Sequence, residues 1–170
     1  MQMLSAGGLP VLTDEGRAAD ENNPRGYFEF EPVKRLRTDR SWLEQARGRA
    51  VKIIHLLIPE LPTDGRFKYR VILMKRSLDE ILVSQRVMLQ RQGKPSADAA
   101  VLRKIFQQQL LELESYLAGH ITFSTLSVDY QSLIENPLCH VEEINSFLGG
   151  GLDVAPMARA VDPALYRQRL

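Results

Sequence analysis

The sequence predicts an α/β fold with a mainly parallel sheet flanked by helices. Three observations predict it. Short apolar runs of strand character, above all Val71-Ile72-Leu73-Met74, are followed by longer stretches whose apolar residues recur every three or four positions. Turn-forming sequences such as Gly93-Lys94-Pro95 and Asn136-Pro137 separate these stretches. The two kinds of stretch alternate along the chain, the order expected of βαβ units whose right-handed crossovers place helices on both faces of a sheet. A length of 170 residues fits one domain over residues 1–170 and is enough to bury a core.

Composition narrows the class. Apolar content of 44% and charged content of 25% are those of a soluble globular protein. A net charge of +1 argues against a strongly basic nucleic-acid face. No apolar run approaches the ~20 residues that span a bilayer, and no signal peptide opens the chain. Cys139 is the one cysteine, so neither an internal disulfide nor a cysteine metal cluster forms, and His55, His120 and His140 lack metal-ligand spacing. A cytoplasmic setting and no bound metal are the expectation.

The elements follow in order. Met1, Met3 and Leu4 read as the end of an amphipathic helix closed by Gly7 and Gly8. The chain therefore reads as starting mid-element. LPVLT, residues 9–13, reads as a short strand. Residues 14–26 form a polar loop with turn signals at Asn23-Pro24 and Arg25-Gly26. Tyr27-Phe28-Glu29-Phe30-Glu31 alternates aromatic and acidic residues as an edge strand does; it is either a solvated connection or the lining of a substrate cleft. Residues 33–47 read as helix in one or two pieces, with Trp42 and Leu43 turned inward. AVKIIHLL, residues 50–57, reads as a buried strand ended by Pro59 and Pro62. Within it Lys52 is either an edge lysine reaching water or a charge placed for chemistry, and His55 either a core histidine or a base.

A strand through residues 71–74 is followed by Lys75, Arg76 and then Ser77, which with Glu80 three residues on makes a capping box for a helix carrying Leu78, Ile81, Leu82, Met88 and Leu89. Ser96 caps a long helix to about residue 118, with Leu102, Ile105, Phe106, Leu110, Leu113 and Leu117 on its apolar face. ITFSTLSVDY, residues 121–130, reads as another strand. Val141, Ile144, Phe147 and Leu148 mark a last helix closed by Gly149 to Gly151. The tail ends in Tyr166-Arg167-Gln168-Arg169, a solvated segment or a flap over a phosphate.

The junction at Arg76 is the candidate binding site. Ligands of open α/β sheets bind at the carboxyl ends of strands, and a helix's first turn suits an anion. Ser84 lies seven residues after Ser77 on the same helix face. Arg76 and Ser84 thus either hold one phosphate between them or are a surface arginine and a helix serine.

Three segments together resemble the sulfotransferases that use 3′-phosphoadenosine 5′-phosphosulfate, and a bacterial branch of that family in particular. KRSLDEILVSQ, residues 75–85, is similar to the family's 3′-phosphate-binding element. VDYQSLIENPLCHVEEINSFL, residues 128–148, resembles its late strand, turn and helix. AGGLPVLTD and NPRGYFEFEPVKRL, within residues 6–36, look like the bacterial branch. The resemblance implies a P-loop nucleotide-hydrolase-like sulfotransferase fold. It gives Arg76 and Ser84 the nucleotide's 3′-phosphate and makes 3′-phosphoadenosine 5′-phosphosulfate the co-substrate. It gives Lys52 the place of a catalytic lysine that relatives carry on the strand before their base. For the base it offers His55, three residues on where relatives have two, and Glu29 as rival. Departing from the family, no glycine- and serine-rich loop for the 5′-phosphosulfate occurs, so the first strand and loop are missing. The expectations are sulfuryl transfer to a hydroxyl or amine of a small molecule, glycan or protein, or alternatively a degenerate, non-catalytic nucleotide-binding or interaction module. A kinase-like phosphotransferase is weaker still, for want of a lysine-bearing phosphate loop. An uncovered strand edge implies self-association of the isolated chain.

Overall fold

A computed structural model describes residues 1–14, 19–20, 23, 25–91, 93 and 98–165. Pro24, Lys94, Pro95, Ser96 and the tail residues Arg167 and Arg169 lie outside the described residues, so the turn, cap and flap read at them are not addressed.

The protein is α/β, with a two-stranded parallel sheet flanked by helices. Strand β1 (Tyr69–Lys75) pairs with β2 (Phe123–Asp129), in a register that sets Tyr69 opposite Phe123 and Lys75 opposite Asp129. The connection between them is helical: α2 (Leu78–Arg91) and α3 (Ala99–Gly119). A parallel pair needs such a crossover, since a tight hairpin reverses direction. Ser77 sits at the N-cap of α2, its carbonyl accepting from the Ile81 N–H at 3.1 Å. Asp98 caps α3, its carboxylate accepting from the N–H groups of Ala100 and Val101. Beyond β2 come α4 (Tyr130–Glu135), α5 (Pro137–Phe147) and α6 (Val154–Arg159), while α1 (Gln2–Ala6) precedes everything.

Alternation along the strands divides the core in two. Odd-numbered residues Tyr69, Val71, Leu73 and Phe123 join a cluster with Leu113 and Leu117 of α3 and with Leu36, Trp42 and Leu43. Even-numbered Ile72, Leu126 and Val128 join a second cluster with Val141 and Ile144 of α5, Met157 of α6 and Leu4 of α1. Gly7 is where α1 meets α6: a Cβ there would collide with the Met157 side chain, so the approach requires glycine. Gly149 ends α5 at φ 101°, and Arg70 of β1 donates to the carbonyl of Leu148 beside it, satisfying the helix's carboxyl end.

Two expected strands do not form. Residues 9–13 and 50–57 meet only in a parallel bridge between Val11 and Ala50, and a 3-10 helix replaces the second run from His55 to Glu60. The apolar content of residues 50–57 is not uniformly inward, for Ile54 and Leu56 are 57% and 48% exposed. Residues 27–31 are not a strand either; Phe28 at φ 51° breaks the alternation. The helix expected over 33–47 is two 3-10 pieces, Glu31–Arg35 and Ser41–Glu44, with Trp42 and Leu43 buried as expected. No helix among the described residues is long and apolar enough to cross a membrane.

Candidate functional site

Because β1 and β2 run parallel and end level, their two strand-to-helix junctions lie side by side. One is Arg76-Ser77, leading into α2. The other is Asp129-Tyr130, leading directly into α4. Asp129 caps α4 by accepting from the Ser132 N–H at 2.8 Å. That bond, with a smaller contribution from nearby His140, holds its carboxyl below the usual carboxylate range.

The Arg76 side chain reaches from its own junction toward the other. Its Nε donates to Glu80 Oε2 at 3.0 Å, and its guanidinium carbon sits 5.4 Å from the centroid of the Tyr130 ring. Glu80 is 4% exposed and so is a buried carboxylate, a costly arrangement without a cation to pair with it. Lys75 pairs with Glu114 and Asp79 with Arg103, which ties the β1–α2 junction to α3. Ser84 is half-buried further along α2, and the next residue, Gln85, carries a buried Oε1 with no hydrogen-bond partner among the described residues.

The three proposed catalytic residues engage other neighbours. Lys52 is exposed; its Nζ donates to the Tyr27 carbonyl at 3.0 Å and lies 5.9 Å from the Tyr27 ring centroid. Glu29 follows in the same segment, its carbonyl accepting from Thr13 Oγ1 at 2.8 Å and the Asp14 N–H at 3.2 Å. Lys52 and Glu29 are thereby brought to one stretch of chain, residues 27–29. His55 opens a 3-10 turn instead of continuing a strand, and its Nε2 is 3.1 Å from Gln109 Oε1 on α3. None of the five candidates lines the cleft of about 400 Å³ between α3 and β2, whose walls include Leu73, Glu114, His120 and Thr125.

Two residues of the junction site were not read as such in the sequence. The sequence reads Glu80 as half of a capping box, and its carboxylate is a partner of Arg76. The sequence reads Tyr130 as the end of a strand; the signal that finds it is its place one residue past β2, level with Arg76 one residue past β1. Among the described residues no cluster of three or more histidine, cysteine or acidic side chains is placed to hold a metal.

Comparison with known proteins finds no matching family model, no matching curated relative and no matching solved structure.

Proposed function

We propose that this chain is a sulfotransferase-type domain that binds 3′-phosphoadenosine 5′-phosphosulfate through its ribose 3′-phosphate, within a P-loop nucleotide-hydrolase-like fold. One observation carries the reading. Arg76 stands at the shared carboxyl end of two parallel strands, ahead of the first turn of α2 and against an aromatic ring. This is where an open α/β sheet binds ligands, and a guanidinium there, with the positive end of a 14-residue helix, suits a phosphate. Ser84 on the same helix is the proposed second contact.

The reaction moves a sulfuryl group from the nucleotide's phosphate to an acceptor hydroxyl or amine. The bond from sulfur to the phosphate oxygen breaks, a bond to the acceptor forms, and the acceptor's proton passes to a base. In this reading Lys52 offsets charge on the departing oxygen and Glu29 or His55 takes the proton. The Lys52 contact with the Tyr27 carbonyl, two residues before Glu29, favours Glu29 as its companion.

The test is calorimetry with adenosine 3′,5′-bisphosphate. The chain binds it, and Arg76→Ala weakens binding by about 10- to 100-fold, the range for losing a charged hydrogen-bond donor. No heat from the unsubstituted chain, or equal affinity in both, overturns the site.

A second reading, a non-catalytic nucleotide-binding or interaction module, is favoured by the separate partners of Lys52, His55 and Arg76, namely Tyr27, Gln109 and Glu80. Binding of the bisphosphate without sulfuryl transfer to any hydroxyl or amine acceptor supports it over the enzyme.

A further inference from the structure

We infer that Glu80 is the positioning residue of the nucleotide site: it fixes the heading of the Arg76 guanidinium and so sets the preference for a ligand bearing a ribose 3′-phosphate. The inference rests on the binding reading above. An arginine side chain has many rotamers, and its five N–H groups lie in one plane. At Arg76 two contacts among the described residues bear on that plane. Glu80 accepts from Nε at 3.0 Å, and the Tyr130 ring centroid lies 5.4 Å from the guanidinium carbon. The pair spans the turn, with Arg76 ahead of α2 and Glu80 in its first turn, so the rigid helix carries the anchor.

Burial sets this pair apart from others among the described residues. The Glu80 side chain is 5% exposed, whereas Glu31, which pairs with Lys34, is 65% exposed and Glu44, which pairs with both Arg47 and Arg66, is 48% exposed. Water therefore screens the Arg76 pair less than those. The carboxylate also sits close to the proposed phosphate, where its charge opposes the ligand. Orientation and repulsion are separable by substitution. Glutamine keeps an acceptor for Nε without the charge, aspartate keeps the charge but is one methylene short, and alanine keeps neither.

The experiment measures the affinity ratio between adenosine 3′,5′-bisphosphate and adenosine 5′-monophosphate, which lacks the 3′-phosphate. In Glu80→Ala the ratio falls about tenfold, with monophosphate affinity unchanged, as expected for a misdirected charged donor. In Glu80→Gln the ratio stays at or above that of the unsubstituted chain. Glu80→Asp, which keeps a charge for Arg76, lowers the ratio and serves if Glu80→Ala does not fold. A stabilising role alone would lower the melting temperature of each variant and leave the ratio where it was. An unsubstituted chain that does not prefer the bisphosphate overturns the binding reading and this inference with it. A preference that survives intact in Glu80→Ala, or in Glu80→Asp, overturns this inference alone.

Discussion

Residues 1–60 and residues 69–147 bury apolar side chains equally well by different means. The later region has a seven-residue parallel ladder with long helices against it. The earlier one has, among its described residues, the short helix α1, a single bridge and three 3-10 pieces, yet Leu36, Trp42 and Leu43 are 0%, 3% and 4% exposed and share a cluster with Leu113 and Phe123. Burial depends on size and shape, and a ladder is not required for it. Aiming a charge is different. Arg76 follows a strand and precedes a helix, so both elements fix where it stands. Lys52 and His55 sit on chain without a ladder, and each is directed by the nearest acceptor, the Tyr27 carbonyl and the Gln109 amide.

The largest expected effect tests whether the two regions carry equal weight. Trp42→Ala removes an indole packed edge-on to Phe30 at 5.6 Å, and Ile144→Ala empties a position with no exposure in the second cluster. Costs of about 3–5 and about 2–5 kcal/mol are expected, read from urea unfolding. A Trp42→Ala cost below 1 kcal/mol would break the comparison, because the earlier region would then be a loose cover on the later one. Next comes Gly149→Ala. Its φ of 101° excludes ordinary side chains, and a Cβ would stand 3.2 Å from Arg70 Nη1. A loss of about 1–3 kcal/mol is expected, and Arg70→Ala should ease the steric part without touching the backbone part.

The smallest effect is a dependence on pH, with one carboxylate in each region. Arg47 first and Arg66 second hold Glu44 down from 4.5 to about 2; the Ser132 N–H holds Asp129 below 3.8. Each folded value lies below the unfolded one, so each group favours folding above its unfolded pKa and loses that contribution as pH falls through the folded value. Glu44→Gln should flatten the stability profile between pH 4.5 and about 2, and Asp129→Asn should do so below pH 3.8. Glu44 is exposed, so added salt should shrink its share. A Glu44 share that salt leaves untouched would contradict the surface origin of its shift.

The later region was legible in the sequence because its signals are local. The apolar run 71–74, the serine at the N-cap and the apolar spacing of α3 and α5 each name their element without reference to anything distant. Residues 9–13 and 50–57 have strand-like composition too, but a strand also needs a neighbour in register, and theirs extends to the Val11–Ala50 bridge alone. At the site, Arg76 and its junction could be placed from spacing. The partnership with Glu80 could not, since a glutamate three residues after an N-cap serine reads first as a reciprocal cap. Tyr130 depends on the register of β1 against β2, a property of strands 54 positions apart.

That level register has a geometric corollary. Adjacent strands lie about 4.8 Å apart, so a further strand slipped between β1 and β2 would add that distance to the separation of the guanidinium and the phenol ring. Their present 5.4 Å spacing would then roughly double, and the arginine would lose its aromatic wall while keeping its carboxylate. The closeness of Arg76 to Tyr130 is thus a ruler laid across the sheet, and a spectroscopic distance between those two positions would report how many strands the sheet has at its centre.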